Sequence, residues 1–390
     1  ENGSTSKAIN IEGSNGAVNF SHGNGTVIIT FNGSSDIKAD GVTLNLNNLT
    51  INHADADINT KSNLTCAGDV TITAGILDGE DDAISFGSLT IASGGTYDAT
   101  SGTTTITKKA SSNFAFKNSG TFTHNNGTMQ IGDGSTSTGG AHIMNTTYHN
   151  LIINRDQNAP DGNTPWRPSS GSEVTIAGNL TVTKGRFYRN NSSNSLVVTG
   201  DVDIAANGQV GTEAASGSNT FGSLTINSGG TYLATSGTTT ITDETSGGYG
   251  LINSGTYTHN KGKLKIDFNT PNKDAHTIIQ VNDLYDLEID MNASNYEVKF
   301  DDTSGNATNI LNNLDITQGV FESKDNGDTL TIHGLTRITS NGTFMPDANH
   351  DTNKIIHNGL VTNSGTYKIN DGTTVKMNGG IRNLGTITVA

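Results

Sequence analysis

FGSLTIASGGTYDATSGTTTIT, residues 86–107, returns as FGSLTINSGGTYLATSGTTTIT, residues 221–242, displaced by 135 positions with no gap. The match continues through the turns Asn118-Ser119-Gly120-Thr121-Phe122 and Asn253-Ser254-Gly255-Thr256-Tyr257. Self-similarity at a fixed period is the signature of stacked structural units, each burying its apolar face against the next. With small insertions and deletions the likeness spreads: Leu151 and Ile153 match Leu287 and Ile289, Leu180, Gly185 and Phe187 match Leu314, Gly319 and Phe321, and Leu196, Gly200 and Ile204 match Leu330, Gly334 and Ile338. The chain therefore reads as a partial module over 1–85, a long module over 86–220, a second over 221–354, and the start of a third over 355–390.

A shorter beat runs inside the modules. Turn glycines 185, 208, 230 and 255 are spaced by 23, 22 and 25 residues, and glycines 319, 342, 365 and 385 by 23, 23 and 20. Between the turns, apolar residues alternate with polar ones, as in Val42, Leu44, Leu46 or Leu330, Ile332. That period of two, bounded by Gly, Asn and Ser, predicts short strands. Coils of 20–25 residues holding two or three strands predict an all-β parallel solenoid (β-helix), with roughly 17 coils if each takes about 22 residues. Tandem β-sandwich modules fit less well, because one such domain needs ~100 residues and the beat is much shorter. Helices are not expected, since Gly and β-branched residues form them poorly and no period of 3.6 is present.

Composition agrees with a thin core. Of 390 residues 32% are hydrophobic, only 15% are charged, and 48 are glycine. Low hydrophobicity can also mark disorder, but strict alternation argues against it. A net charge of −15 argues against capture of nucleic acid, which rests on basic patches. No run approaches the ~18 apolar residues of a membrane span, so membrane insertion is not expected. The single cysteine, Cys66, falls on an inward position and reads as a buried apolar side chain. Both ends stop in mid-pattern without a polar cap, so the sequence reads as a segment of a longer polypeptide or a protomer covered by neighbours.

Where the modules differ, function is the more natural reading. Residues 155–171, RDQNAPDGNTPWRPSSG, hold three of the five prolines and the only tryptophan, and the second module has no equivalent. With the adjoining strand, this stretch supplies Arg155, Trp166, Arg167, Arg186, Tyr188 and Arg189, a locally basic and aromatic set on an acidic chain. Rigid aromatics beside arginines suit protein contacts or the flat faces of sugars, so this extruded loop reads either as a binding element or as a proline-stiffened cover in which Trp166 folds back over the flank of the solenoid. Asp78, Glu80, Asp81 and Asp82 crowd a second unique turn, where oxygen ligands could hold calcium or paired carboxylates could cleave glycosidic bonds, though a solvated acidic turn that at most loosely holds an ion is the favoured reading. By contrast His124 recurs as His259 and His142 as His276, which marks these histidines as scaffold.

Two resemblances follow from these residues. GILDGEDDAIS, residues 75–85, distantly resembles the double-aspartate turn of the polygalacturonase family of β-helices, but that family's Asn-Thr-Asp, Gly-His-Gly and Arg-Ile-Lys elements have no counterpart, so no catalytic residue carries over. Taken whole, GSLTI…SGGTY…ATSGTTTIT followed by NSGT(F/Y)THN resembles the Gly/Thr/Asn-rich repetitive β-helical surface proteins of phage virions and bacteria. That resemblance implies an extracellular fibre or adhesin at a virion or cell surface, without enzymatic activity, partnered by copies of itself, neighbouring particle proteins or a cell-surface glycan. A bacterial surface-layer or matrix protein and a polysaccharide-degrading enzyme are the competing readings.

Overall fold

The computed structural model describes residues 7–11, 22–39, 44–109, 114–133, 142–144, 146–155, 167–168, 174–188, 195–212, 215–268, 277–279, 281, 283–300, 307–323, 329–346 and 354–389. The protein is all-β, 66% strand and, among the described residues, without helix, and its parallel sheets wind into a β-solenoid of about 13 turns with coils of about 23 residues. Register partners lie from 19 residues apart (Val70 and Leu89) to 30 apart (Asn154 and Lys184), and about 13 turns of about 23 residues take up roughly 300 of the 390 residues, so dividing the whole length by one coil size overcounts the turns. Two compact units, Glu1–Asn190 and Asn191–Ala390, emerge from the internal contacts.

In the first unit each coil presents three short strand segments, and like segments stack. The long strands Leu64–Asp78 and Ile84–Asp98 each supply all three, bending at their glycines. On the first face Leu46, Cys66, Phe86, Ile106, Ile131, Ile153 and Val182 form one inward column, each paired in register with the next. Leu49, Val70, Leu89 and Phe116 form the column of the second face. Ile58, Leu77, Tyr97 and Phe122 form that of the third. Because strand side chains alternate, a parallel in-register ladder places every inward residue on its equivalent, and the columns become the core. Cys66 sits within the first column at 1% exposure, and burial pushes its thiol up to about 12, as an inert core cysteine requires.

The second unit repeats this scheme. Val198, Phe221, Ile241, Ile266, Ile289, Ile316 and Ile338 stack into a column that finishes with Asn363 and Asn383, whose side chains hydrogen-bond at 2.7 Å. Phe321, Phe344 and Tyr367 are register neighbours, and their rings, with that of Phe300, stand 4.8–5.8 Å apart centre to centre. Buried tyrosine hydroxyls are satisfied within the core: Tyr97 bonds Thr104 at 2.7 Å, and Tyr232 bonds Thr239 at 2.8 Å, the same pair one module later.

The glycine beat has a steric cause. A Cβ on Gly120 would lie 2.2 Å from the Ala92 carbonyl oxygen, and one on Gly255 would lie 2.5 Å from that of Asn227. The corner backbone of one coil therefore rests directly on the corner of the coil before it. Asn118 and Asn253 lock these corners, each accepting the amide of the glycine two residues on.

Candidate functional site

The two groups of residues singled out by sequence meet different fates. Of the basic and aromatic set, Trp166 and Arg189 lie outside the described residues, as do most of 155–171 and His276. Arg167 and Pro168 form a rung that pairs with His142 and Ile143, so this part of the segment belongs to the sheet. Arg186 sits within the strand Leu180–Phe187 and Tyr188 directly follows it, both half-buried.

Arg155 lies inside, 5% exposed, next to the end of the strand Asn150–Asn154. Its amide bonds the Lys184 carbonyl at 3.2 Å, and its backbone crosses Gly132 and Gly185, both at positive φ and both without room for a Cβ against it or its neighbour Asn154. The residue at this place in the second module is Met291, 2% exposed, whose side chain packs over Gly319 where the Arg155 backbone carbonyl packs over Gly185. Arg155 thus shares a buried packing position beside a corner glycine. Comparing the two modules at their local offset of 136 could have shown this from sequence.

The acidic turn is held by its own chain. Asp78 accepts the Glu80 amide at 2.9 Å through Oδ1, Glu80 adopts φ +50°, and the Glu80 carbonyl accepts the Ser101 amide. Lys61, one coil earlier, donates to the Glu80 carboxylate at 2.5 Å. That hydrogen bond, with the charges of Glu80, Asp36 and Asp78, raises the lysine above its ordinary value despite some desolvation. Asp82 is raised by burial first, then by Asp81 and Glu80. Register adds three residues that sequence reading missed, Asp36, Asn59 and Asp98, which occupy one outward column with Asp78, in which Lys61 is the nearby cation. Their signal was the spacing of one coil between like residues, which becomes readable only when the register is known. Among the described residues, no three His, Cys, Asp or Glu side chains converge as a metal cage.

The recurrent histidines cap turns. His124 and His259 each open a four-residue turn closed by a glycine amide at 2.8 Å, with the two central residues at positive φ. Each ring accepts the amide two residues on through Nδ1, from Asn126 at 3.1 Å and from Lys261 at 3.0 Å. Each ring also stacks on the next coil, against His149 or Tyr285. This is a scaffold role, and burial together with the neighbouring His149 lowers His124 below its ordinary value.

No protein-family model, no curated protein and no solved structure matches the chain. Function is therefore argued from this geometry. Among the described residues no helix is long and apolar enough to cross a membrane.

Proposed function

We propose that the chain is a structural and adhesive fibre segment of the virion-appendage type, extracellular, presenting contact surfaces on a stiff ladder scaffold. The supporting observation is the continuity of the inward columns, seven residues deep in one unit and nine in the other, with polar groups inside them bonded to one another. Such stacks resist local opening because each strand is paired on both sides. Contacts with a receptor, a cell-surface glycan, neighbouring particle proteins or other copies of the chain would be weak individually and gain from multivalency. Arg167, Arg186 and Tyr188, together with Trp166 and Arg189, which lie outside the described residues, are the residues assigned to that contact. Calcium at Asp78, Glu80, Asp81 and Asp82 would be at most a loose surface association in this reading, since Glu80 is neutralised by Lys61 and Asp78 caps a backbone amide.

The test sets binding against turnover. The protein is incubated with neutral and acidic glycans while new reducing ends and unsaturated products are assayed, and its retention on whole cells is measured in parallel. Retention that falls on R186A/Y188A, without product formation, is the expected result. Turnover abolished by Asp81→Ala and Asp82→Ala would replace the fibre reading with a glycan-cleaving one.

A further inference from the structure

The three modules can be compared at one core position. Phe86 and Phe221 are 135 residues apart, and the next equivalent, 136 further on, is His357. The ring partner also recurs: Phe86 faces Tyr97 at 5.9 Å, Phe221 faces Tyr232 at 5.9 Å, and His357 faces Tyr367 at 5.8 Å. A second position changes with it. Where the preceding coils carry Val70 and Val202, the coil before His357 carries Thr336. Two apolar positions have thus become polar together, and the new residues meet: Thr336 Oγ1 lies 2.8 Å from His357 Nδ1, and the Tyr367 hydroxyl lies 2.9 Å from Nε2.

His357 is wholly buried. Along its column stand Ile332 and Met377, and across the core stand Phe344 and Tyr367. The groups facing the ring are therefore aliphatic, aromatic or hydroxyl, with no carboxylate among these contacts to balance a cation. Glu322, the buried acid of this unit, occupies the row of Lys299 and Met345, on the opposite side of its strand from the inward Phe321. A neutral imidazole satisfies both hydroxyls here, whereas an imidazolium would place an unpaired charge in the core.

We propose that Thr336, His357 and Tyr367 form an acid-operated release where the second module meets the third, which frees the strands Lys354–His357, Val361–Asn363 and Thr366–Ile369 when His357 is protonated. Desolvation supports the direction, lowering the imidazole from 6.5 to about 4. Because the folded value is depressed, the stabilisation is complete above the ordinary histidine range and is lost as pH falls from about 6.5 towards 4. The first two modules, with phenylalanine at this place, lack the device.

Amide protection factors in the strands Lys354–His357 and Thr366–Ile369 are compared at pH 7.5 and 4.5, in the wild type and in T336V/H357F, which restores the Val202 and Phe221 pair. The wild type should lose protection by roughly a hundredfold, and the double variant by less than about threefold; a parallel decline in both overturns the proposal. Should the variant fold poorly, the wild-type His357 ring is followed by NMR through the same titration. Proton uptake coincident with loss of protection supports the release, and reversible uptake near pH 6.5 in the fully protected protein overturns it.

Discussion

At Gly365 a Cβ would stand 2.1 Å from the Thr339 carbonyl oxygen and 2.2 Å from that of Gly342. Gly365→Ala should therefore force the corner apart and destabilise the second unit by about 1–3 kcal/mol, read as a lower urea midpoint at constant m. Corner asparagines offer a gentler contrast. Asn150 Oδ1 accepts the Asn179 amide at 2.9 Å, and Asp286, its counterpart, accepts the Asn313 amide at 2.9 Å. Asn150→Asp keeps that acceptor and should leave stability unchanged, whereas Asn150→Ala should cost about 1 kcal/mol; the same denaturation curves distinguish them. Residue identities such as these were legible as spacing and invisible as contacts. The Asn-Ser-Gly turns were evident, but that their glycines support the next coil depends on a backbone approach no composition reveals.

At the scale of strands and columns, the largest single loss is expected in the aromatic stack of the second unit. Phe344 lies between Phe321 and Tyr367 and is wholly buried, so Phe344→Ala should cost about 3–5 kcal/mol. Calorimetry would show this as a fall in the melting temperature. On the outer surface, Lys265 of the strand Lys263–Ile266 binds Asp267 at 2.8 Å and Asp290 at 2.7 Å. Burial opposes its charge, yet these two carboxylates more than offset the effect and raise it above its ordinary value. Its side chain is 22% exposed and solvent screens the network, so Lys265→Met should cost about 1 kcal/mol or less, with the difference shrinking in high salt. Alternation made these strands readable, since Leu264 and Ile266 point in while Lys263 and Lys265 point out. The acidic column through Asp36, Asn59, Asp78 and Asp98 was not readable, because coils of unequal length hide which residues align. Arg155 stood out by its proximity in sequence to a proline-rich segment, while its burial, in the place equivalent to Met291, became visible only in the packing.

For the whole molecule, the fibre reading carries an expectation about cations. Chelator should leave the melting midpoint unmoved, since the acidic turn is fixed by Lys61 and by backbone amides. The fold class was legible because repetition fixes a solenoid before any contact is known. The contact surface was less so, because a site unique to one module has no second copy against which to judge it.

Corner glycines seated on the carbonyls beneath them impose a rule of inheritance. An insertion of a few residues within a corner would bring a side chain where only backbone fits, but a complete winding brings its own glycine and leaves every neighbour in place. Such a protein can lengthen or shorten only in whole increments, so its reach is quantised, and gene duplication becomes the natural way to tune it.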